Sequence, residues 1–124
     1  MKIRLKPASG FTLVEIMVVV AIIGLLAGIT TPSVIKARDT SQLNAIINNL
    51  RLIESGKEAW ALETRQGTGA VPADTEVGAF MKNNTMPTPV VGETYNINPV
   101  GELATATTPV RLGTVPAGGT VSLP

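Results

Sequence analysis

The sequence predicts an α+β protein: one long N-terminal helix, membrane-spanning in its first half and amphipathic in its second, carrying a small β-hairpin/sheet head. Three observations predict it. Phe11 to Ile29, 19 residues, holds a single charge, Glu15. Leu43, Ile46, Ile47, Leu50, Ile53 and Trp60 then recur at spacings of three, four or seven, which lines up one apolar stripe on a helix. From Gln66 onward the chain holds 8 of the 12 Gly and 7 of the 9 Pro, a mixture that breaks helices and favours short strands and turns. These shifts divide the 124 residues into a basic leader (1–10), an apolar helix (11–31), an amphipathic helix (32–65) and a head (66–124).

Composition excludes much chemistry. The chain has no Cys and no His, so thiol catalysis, His general-base chemistry, the usual structural zinc sites and any disulfide are ruled out. Ten Lys+Arg against nine Asp+Glu, spread along the sequence, offer no basic field for phosphates, and no nucleic-acid partner is predicted. The head carries only isolated carboxylates and hydroxyls with no acid/base pair, so no enzyme activity, cofactor or metal site is predicted.

Charge is nonetheless asymmetric at the N-terminus. Lys2, Arg4 and Lys6 precede the apolar run, whereas Lys36 and Arg38 beyond it are partly offset by Asp39. A hydrocarbon core of about 30 Å needs roughly 20 helical residues, so the run is long enough to span, with the N-terminus cytoplasmic and the head exported. A secretory signal peptide fits poorly, because its apolar region is shorter and no small-x-small cleavage site precedes Thr30-Thr31-Pro32-Ser33. A lipoprotein signal requires a Cys that is absent. A plain anchor fits length and charge but gives no reason for Glu15, since a carboxylate in a spanning helix costs up to roughly 2.5–3.5 kcal/mol at the centre and less near an end.

Individual positions in this segment carry physical meaning. Gly10 taken alone reads as an ordinary loop glycine, and its missing side chain would equally let an extended backbone enter a protease cleft. Glu15 lies one helical turn, about 6 Å, beyond Phe11 and calls for a cation, for the interface, or for a partner within its own chain. Gly24 and Gly28 form a G-x-x-x-G pair suited to close helix packing. Pro32 removes a backbone donor and crowds the preceding turn, so the long helix is expected to bend or loosen just before it.

Past Pro32 the apolar stripe, with Arg51, Glu54, Glu58 and Glu63 largely off it, is expected to pack on the head, with Trp60 as a core or rim anchor. Gln66-Gly67-Thr68-Gly69 ends the helix near residue 65. Residues from Asp74 to Lys82 predict a short helix capped by Asp74 or Thr75. Thr94–Asn98 and Leu103–Thr107 flank Pro99-Val100-Gly101-Glu102 as a hairpin with a four-residue loop. Further strands are placed near Val110–Leu112 and Thr120–Leu123.

The run Gly10-Phe11-Thr12-Leu13-Val14-Glu15, behind a basic leader and ahead of Ile16-Met17-Val18-Val19-Val20-Ala21-Ile22-Ile23-Gly24-Leu25-Leu26-Ala27, resembles the N-terminal segment of type IV pilins and of the pseudopilins of type II secretion. The resemblance is close from Gly10 to about Pro32 and diffuse beyond. It implies that a prepilin peptidase cuts after Gly10 and methylates the new amine of Phe11, and that Glu15 pairs with the amine of a neighbouring subunit. Such a pair acts as a register device more than as net glue. It further implies that the segment from Gly24 to Pro32 can melt in a filament. The implied partners are further copies in a homo-oligomeric filament, the prepilin peptidase, an inner-membrane assembly platform, and membrane lipid before assembly. The implied location is the bacterial inner membrane, followed by a periplasmic or cell-surface filament. Relatives often carry cysteines near the head helix and hairpin, and this chain has none. Pseudopilin relatives often bind calcium in a C-terminal loop. Here only Glu93 and Glu102 approach that pattern, and Ca²⁺ wants six to eight oxygens, so both are read as solvated strand-end carboxylates.

Two functional classes follow. One is a structural filament subunit of a type IV pilus-like fibre or a type II secretion pseudopilus, with a slight lean to the pseudopilus. The other is a single-span, membrane-anchored, exported binding module. Phe11, Trp60, Phe80 and Tyr95 are the only aromatics, too few for a continuous conducting path along a fibre.

Overall fold

A computed structural model describes all 124 residues, which divide into two compact units, Met1–Ile35 and Lys36–Pro124. The elements in chain order are α1 (Leu13–Thr64), α2 (Asp74–Ala79), β1 (Thr94–Asn96), β2 (Thr105–Thr107) and β3 (Thr120–Ser122), with a 3₁₀ turn at Lys82–Asn84. This is the α+β arrangement, one long N-terminal helix with a small antiparallel sheet, that the sequence predicts.

In the first unit, residues 1–12 are non-helical and α1 begins at Leu13. Every apolar side chain of α1 in this unit is exposed, and the most apolar window has a mean hydropathy of 2.6 with none of it buried. α1 is helical without interruption through Pro32. Thr31 Oγ1 donates to the Ala27 carbonyl at 2.8 Å, and Thr30 Oγ1 donates to the Leu26 and Ala27 carbonyls at 3.2 and 3.3 Å. These back-bonds go to the carbonyls just before Gly28, whose own i+4 donor is the one that Pro32 removes.

In the second unit the stripe of α1 becomes the core. Ile46, Leu50 and Ile53 are fully buried, against Val77 of α2 and against Ile97, Ala104, Ala106, Leu112 and Val121. Burying each of the larger aliphatic side chains stabilises the head by about 1.5–3 kcal/mol. Trp60 is buried one turn before the helix ends. α1 ends in a Schellman motif: Arg65 takes the left-handed conformation (φ 55°) and the Gln66 amide donates to the Ala61 carbonyl at 2.9 Å. The stop therefore precedes Gly67 and is made by an arginine.

The sheet is antiparallel in the order β1-β2-β3. Its register aligns Tyr95, Ala106 and Val121 on the inner face, and places Thr94, Thr107 and Thr120 in one outer row and Asn96, Thr105 and Ser122 in the other. The predicted hairpin is present, but eight residues, not four, separate its strands. The connection is wide because its backbone bonds elsewhere. Val100 exchanges hydrogen bonds with the Gly69–Ala70 segment, accepting from Gly69 and donating to Ala70 at 2.8 Å each. Asn98, at φ 58°, donates from Nδ2 to the Leu103 carbonyl at 2.8 Å.

Three further expectations are corrected. α2 stops at Ala79, and its N-cap is Ala73 rather than Asp74 or Thr75; the Glu76 carboxylate reaches back to accept from the Ala73 amide at 2.8 Å. Val110–Leu112 forms no strand, only a single bridge between Leu112 and Val115 in a loop held by Asp39, which accepts from the Gly113 amide at 3.1 Å. Thr120–Ser122 does form a strand, as the sequence indicates.

Lys57 is the residue the sequence reading passed over. It is 1% exposed, and its ammonium lies 3.0 Å from Glu54 Oε2 and donates to the carbonyls of Ile97 (3.1 Å), Pro99 (3.5 Å) and Glu102. Glu54 also accepts from the Ala104 amide at 3.0 Å.

Candidate processing and assembly segment

The first turn of α1 places its polar groups by capping. The Thr12 amide donates to Glu15 Oε2 at 2.8 Å, and the Glu15 amide donates to Thr12 Oγ1 at 3.3 Å. This reciprocal capping box satisfies two of the four amides that any helix start leaves orphaned. It also gives Glu15 a partner within its own chain, and its negative charge sits at the favourable end of the helix dipole.

Gly10 and Phe11 lie immediately before this cap, outside the helix. Nothing stands within 4 Å of where a Cβ on Gly10 would be, and the Phe11 side chain is 87% exposed. The peptide bond between them is thus open backbone next to an apolar helix. Gly24 and Gly28 likewise face open space, and Pro32 lies inside the helix four residues, about one turn, past Gly28. The segment thereby brings Gly10, Phe11 and Glu15 into one stretch at the helix start and sets Gly24 and Pro32 farther along it. Thr12 is the functional neighbour the sequence reading quoted without assigning it a part; the T-x-x-E spacing of a capping box was its signal.

Glu93 and Glu102 do not come together as a pair of solvated carboxylates. Glu93 is 3% exposed and accepts from the amides of Val90 (2.9 Å) and Val91 (2.8 Å) and from the Tyr95 hydroxyl. Glu102 contributes its backbone carbonyl to Lys57, while its own residue is exposed. Burial alone would raise the Glu93 carboxyl, but the bonds from Tyr95, Val90 and Val91 outweigh it and hold it below the ordinary carboxylate value. Burial, reinforced by the bond to Glu93, pushes the Tyr95 hydroxyl up to about 12.

A wholly exposed apolar helix of spanning length, behind a basic non-helical leader and ahead of a folded head, defines a protein anchored through its N-terminal helix. Residues 5–31 match the family described as the prokaryotic N-terminal methylation motif, and the chain is pilin-like, related to type IV pilins and type II secretion pseudopilins. It is 31% identical over 83 residues to a fimbrial protein of Pseudomonas aeruginosa, covering 66% of this chain and 54% of the relative. It is 35% identical over 72 residues to type II secretion system core protein G of the same species, covering 53% and 51%. With type IV major pilin protein PilA of Myxococcus xanthus it shares 41% identity over 61 residues, covering 48% and 28%. The chain spans about half the length of the first of these relatives. No solved structure matches it.

Proposed function

We propose that the chain is a structural filament subunit, processed between Gly10 and Phe11 and assembled through its apolar helix into a type IV pilus-like fibre or a type II secretion pseudopilus, with a slight lean to the latter. The observation that carries this reading is the bare apolar helix whose one carboxylate, Glu15, lies in the turn directly after Gly10-Phe11.

In the stored state lipid covers the helix, with the leader in the cytoplasm and the head exported. A prepilin peptidase removes residues 1–10, which takes away Lys2, Arg4 and Lys6 and leaves a side-chain sum of −2. It then methylates the amine of Phe11. An assembly platform at the inner membrane extracts the processed subunit, and packing between apolar helices replaces lipid contact. Head-to-tail contacts that do not close on themselves generate a fibre. Glu15 leaves its bond to Thr12 and pairs with the Phe11 amine of a neighbour, which penalises subunits that enter out of register. Gly24 and Pro32 mark the stretch of α1 able to loosen in the fibre, because Pro32 supplies no backbone donor there.

The test is the intact mass and N-terminal sequence of the protein from native membranes or shear fractions. A start at Phe11 carrying one extra methyl is expected. A start at Met1, in cells with an active prepilin peptidase, overturns the filament reading in favour of a single-span anchored binding module. With Glu15→Gln, processing and membrane insertion are expected to persist while fibres are lost. A deletion strain separates the two fibre types, by failing in secretion or in surface fibres.

A further inference from the structure

The oxygens around Lys57 form a cage. The carbonyls of Ile97, Pro99 and Glu102 come from the connection between β1 and β2, and Glu54 Oε2 comes from one turn earlier on α1. Three of the four stand 3.0, 3.1 and 3.5 Å from Nζ, with the Glu102 carbonyl closer. Carbonyl dipoles that converge on one another and on a carboxylate repel unless a cation lies between them. We propose that this cage is a cation site of the head whose occupant is the chain's own ammonium, and that the β1–β2 connection closes only around that charge.

The geometry selects the class of cation. Calcium takes six to eight oxygens at about 2.3–2.6 Å and magnesium six at about 2.0–2.1 Å. Four oxygens at mainly 3 Å or more suit an ammonium, whose three donors point to separate acceptors. The cage also explains the width of the hairpin connection, since a tight four-residue loop would not turn three carbonyls toward α1. Glu54 joins the site to the sheet as well, through its bond from the Ala104 amide at the entry to β2. The closure of the head thus needs no ion from solution.

Trp60, one turn beyond Lys57 and the chain's single tryptophan, gives the site its own reporter. The experiment measures Trp60 emission and denaturant midpoint on the full chain in detergent micelles, for wild type, Lys57→Ala and Lys57→Met. Wild type is expected to be indifferent to EDTA and to exchange of sodium for potassium. Lys57→Met, which keeps the bulk and removes the charge, is expected to raise the unfolding constant about 100-fold or more, as when one partner of a buried ion pair is deleted. Lys57→Ala is expected to lose stability likewise and to recover with millimolar ethylammonium, but not with tetramethylammonium or the neutral alcohol of the same size. If Lys57→Ala is unfolded as purified, it is expected to fold when ethylammonium is present throughout. A Lys57→Met protein as stable as wild type, rescue by the alcohol equal to rescue by ethylammonium, rescue by sodium or calcium instead, or no rescue at all would each overturn the proposal.

Discussion

Asn49 of α1 donates from Nδ2 to the hydroxyl of Tyr95 in β1 at 2.8 Å, and that hydroxyl in turn donates to Glu93. The same amide reaches the Thr88 carbonyl at 3.3 Å. One side chain of the helix thereby ties the first strand and the loop before it to the core, across 46 residues of sequence.

Tyr95→Phe removes the centre of this chain of bonds and keeps the ring on the inner face of the sheet. It leaves Asn49 with Thr88 alone and Glu93 with two backbone amides. A loss of about 1–3 kcal/mol is expected, the cost of stranding buried polar partners. Denaturant unfolding followed by Trp60 emission measures it, and Asn49→Ala combined with Tyr95→Phe is expected to cost less than the sum of the two single changes.

Acid and alkali act on the same trio with opposite signs. Glu93 has a folded pKa below its ordinary 4.5, so it contributes stability that is present above 4.5 and is lost as pH falls through the folded value. Tyr95 has a folded pKa raised from 10.0 to about 12, so the folded state holds the phenolic proton more tightly. That contribution is complete below pH 10 and disappears as pH rises from 10 through about 12. Denaturant midpoints measured against pH are expected to fall at both ends, with Glu93→Gln flattening the acid limb and Tyr95→Phe the alkaline one.

Gly101 sits at φ 98° in the connection around Lys57, and a Cβ there would lie 2.7 Å from Thr68 Cγ2. Gly101→Ala combines backbone strain with a clash and is expected to cost about 1–3 kcal/mol. Faster amide exchange at Gly69 and Val100, which bond across this contact, is the local signature.

Ala73 begins α2 with extended backbone and no side-chain cap. Ala73→Ser supplies a hydroxyl to the first turn beside the Glu76 carboxylate and is expected to stabilise the head by about 0.5–2 kcal/mol. Thermal unfolding checks it, with Ala73→Val as a control that gains nothing.

The helix, the hairpin and the N-terminal methylation motif were legible because each rests on a local pattern: apolar spacing, turn residues between β-prone runs, and a Gly-Phe pair ahead of a lone carboxylate. What escaped was set by partners far along the chain. The gap of seven between Ile53 and Trp60 in the apolar stripe is where Lys57 sits, four residues from one and three from the other. Periodicity placed it on the buried face, but its charge argued for solvent, and only the convergence of three distant carbonyls reverses that. Glu93 escaped for the same reason, since its acceptance of two local amides depends on a turn whose shape the tyrosine helps to fix. The cap of α2 was misplaced by two adjacent good cap residues, whereas Glu76 supplies the bond from three residues downstream.

Asp39, Asn49 and the Glu54–Lys57 pair clip the head to α1 at successive stations, over about 27 Å of helix at about 1.5 Å per residue. Clips arranged in this way, parallel to the helix axis, resist a pull along that axis all together, because the head must slide past every one of them at once. A pull across the axis would instead open them one by one, like a zip. The head is therefore fastened in shear, the stronger mode for a joint that transmits tension along α1.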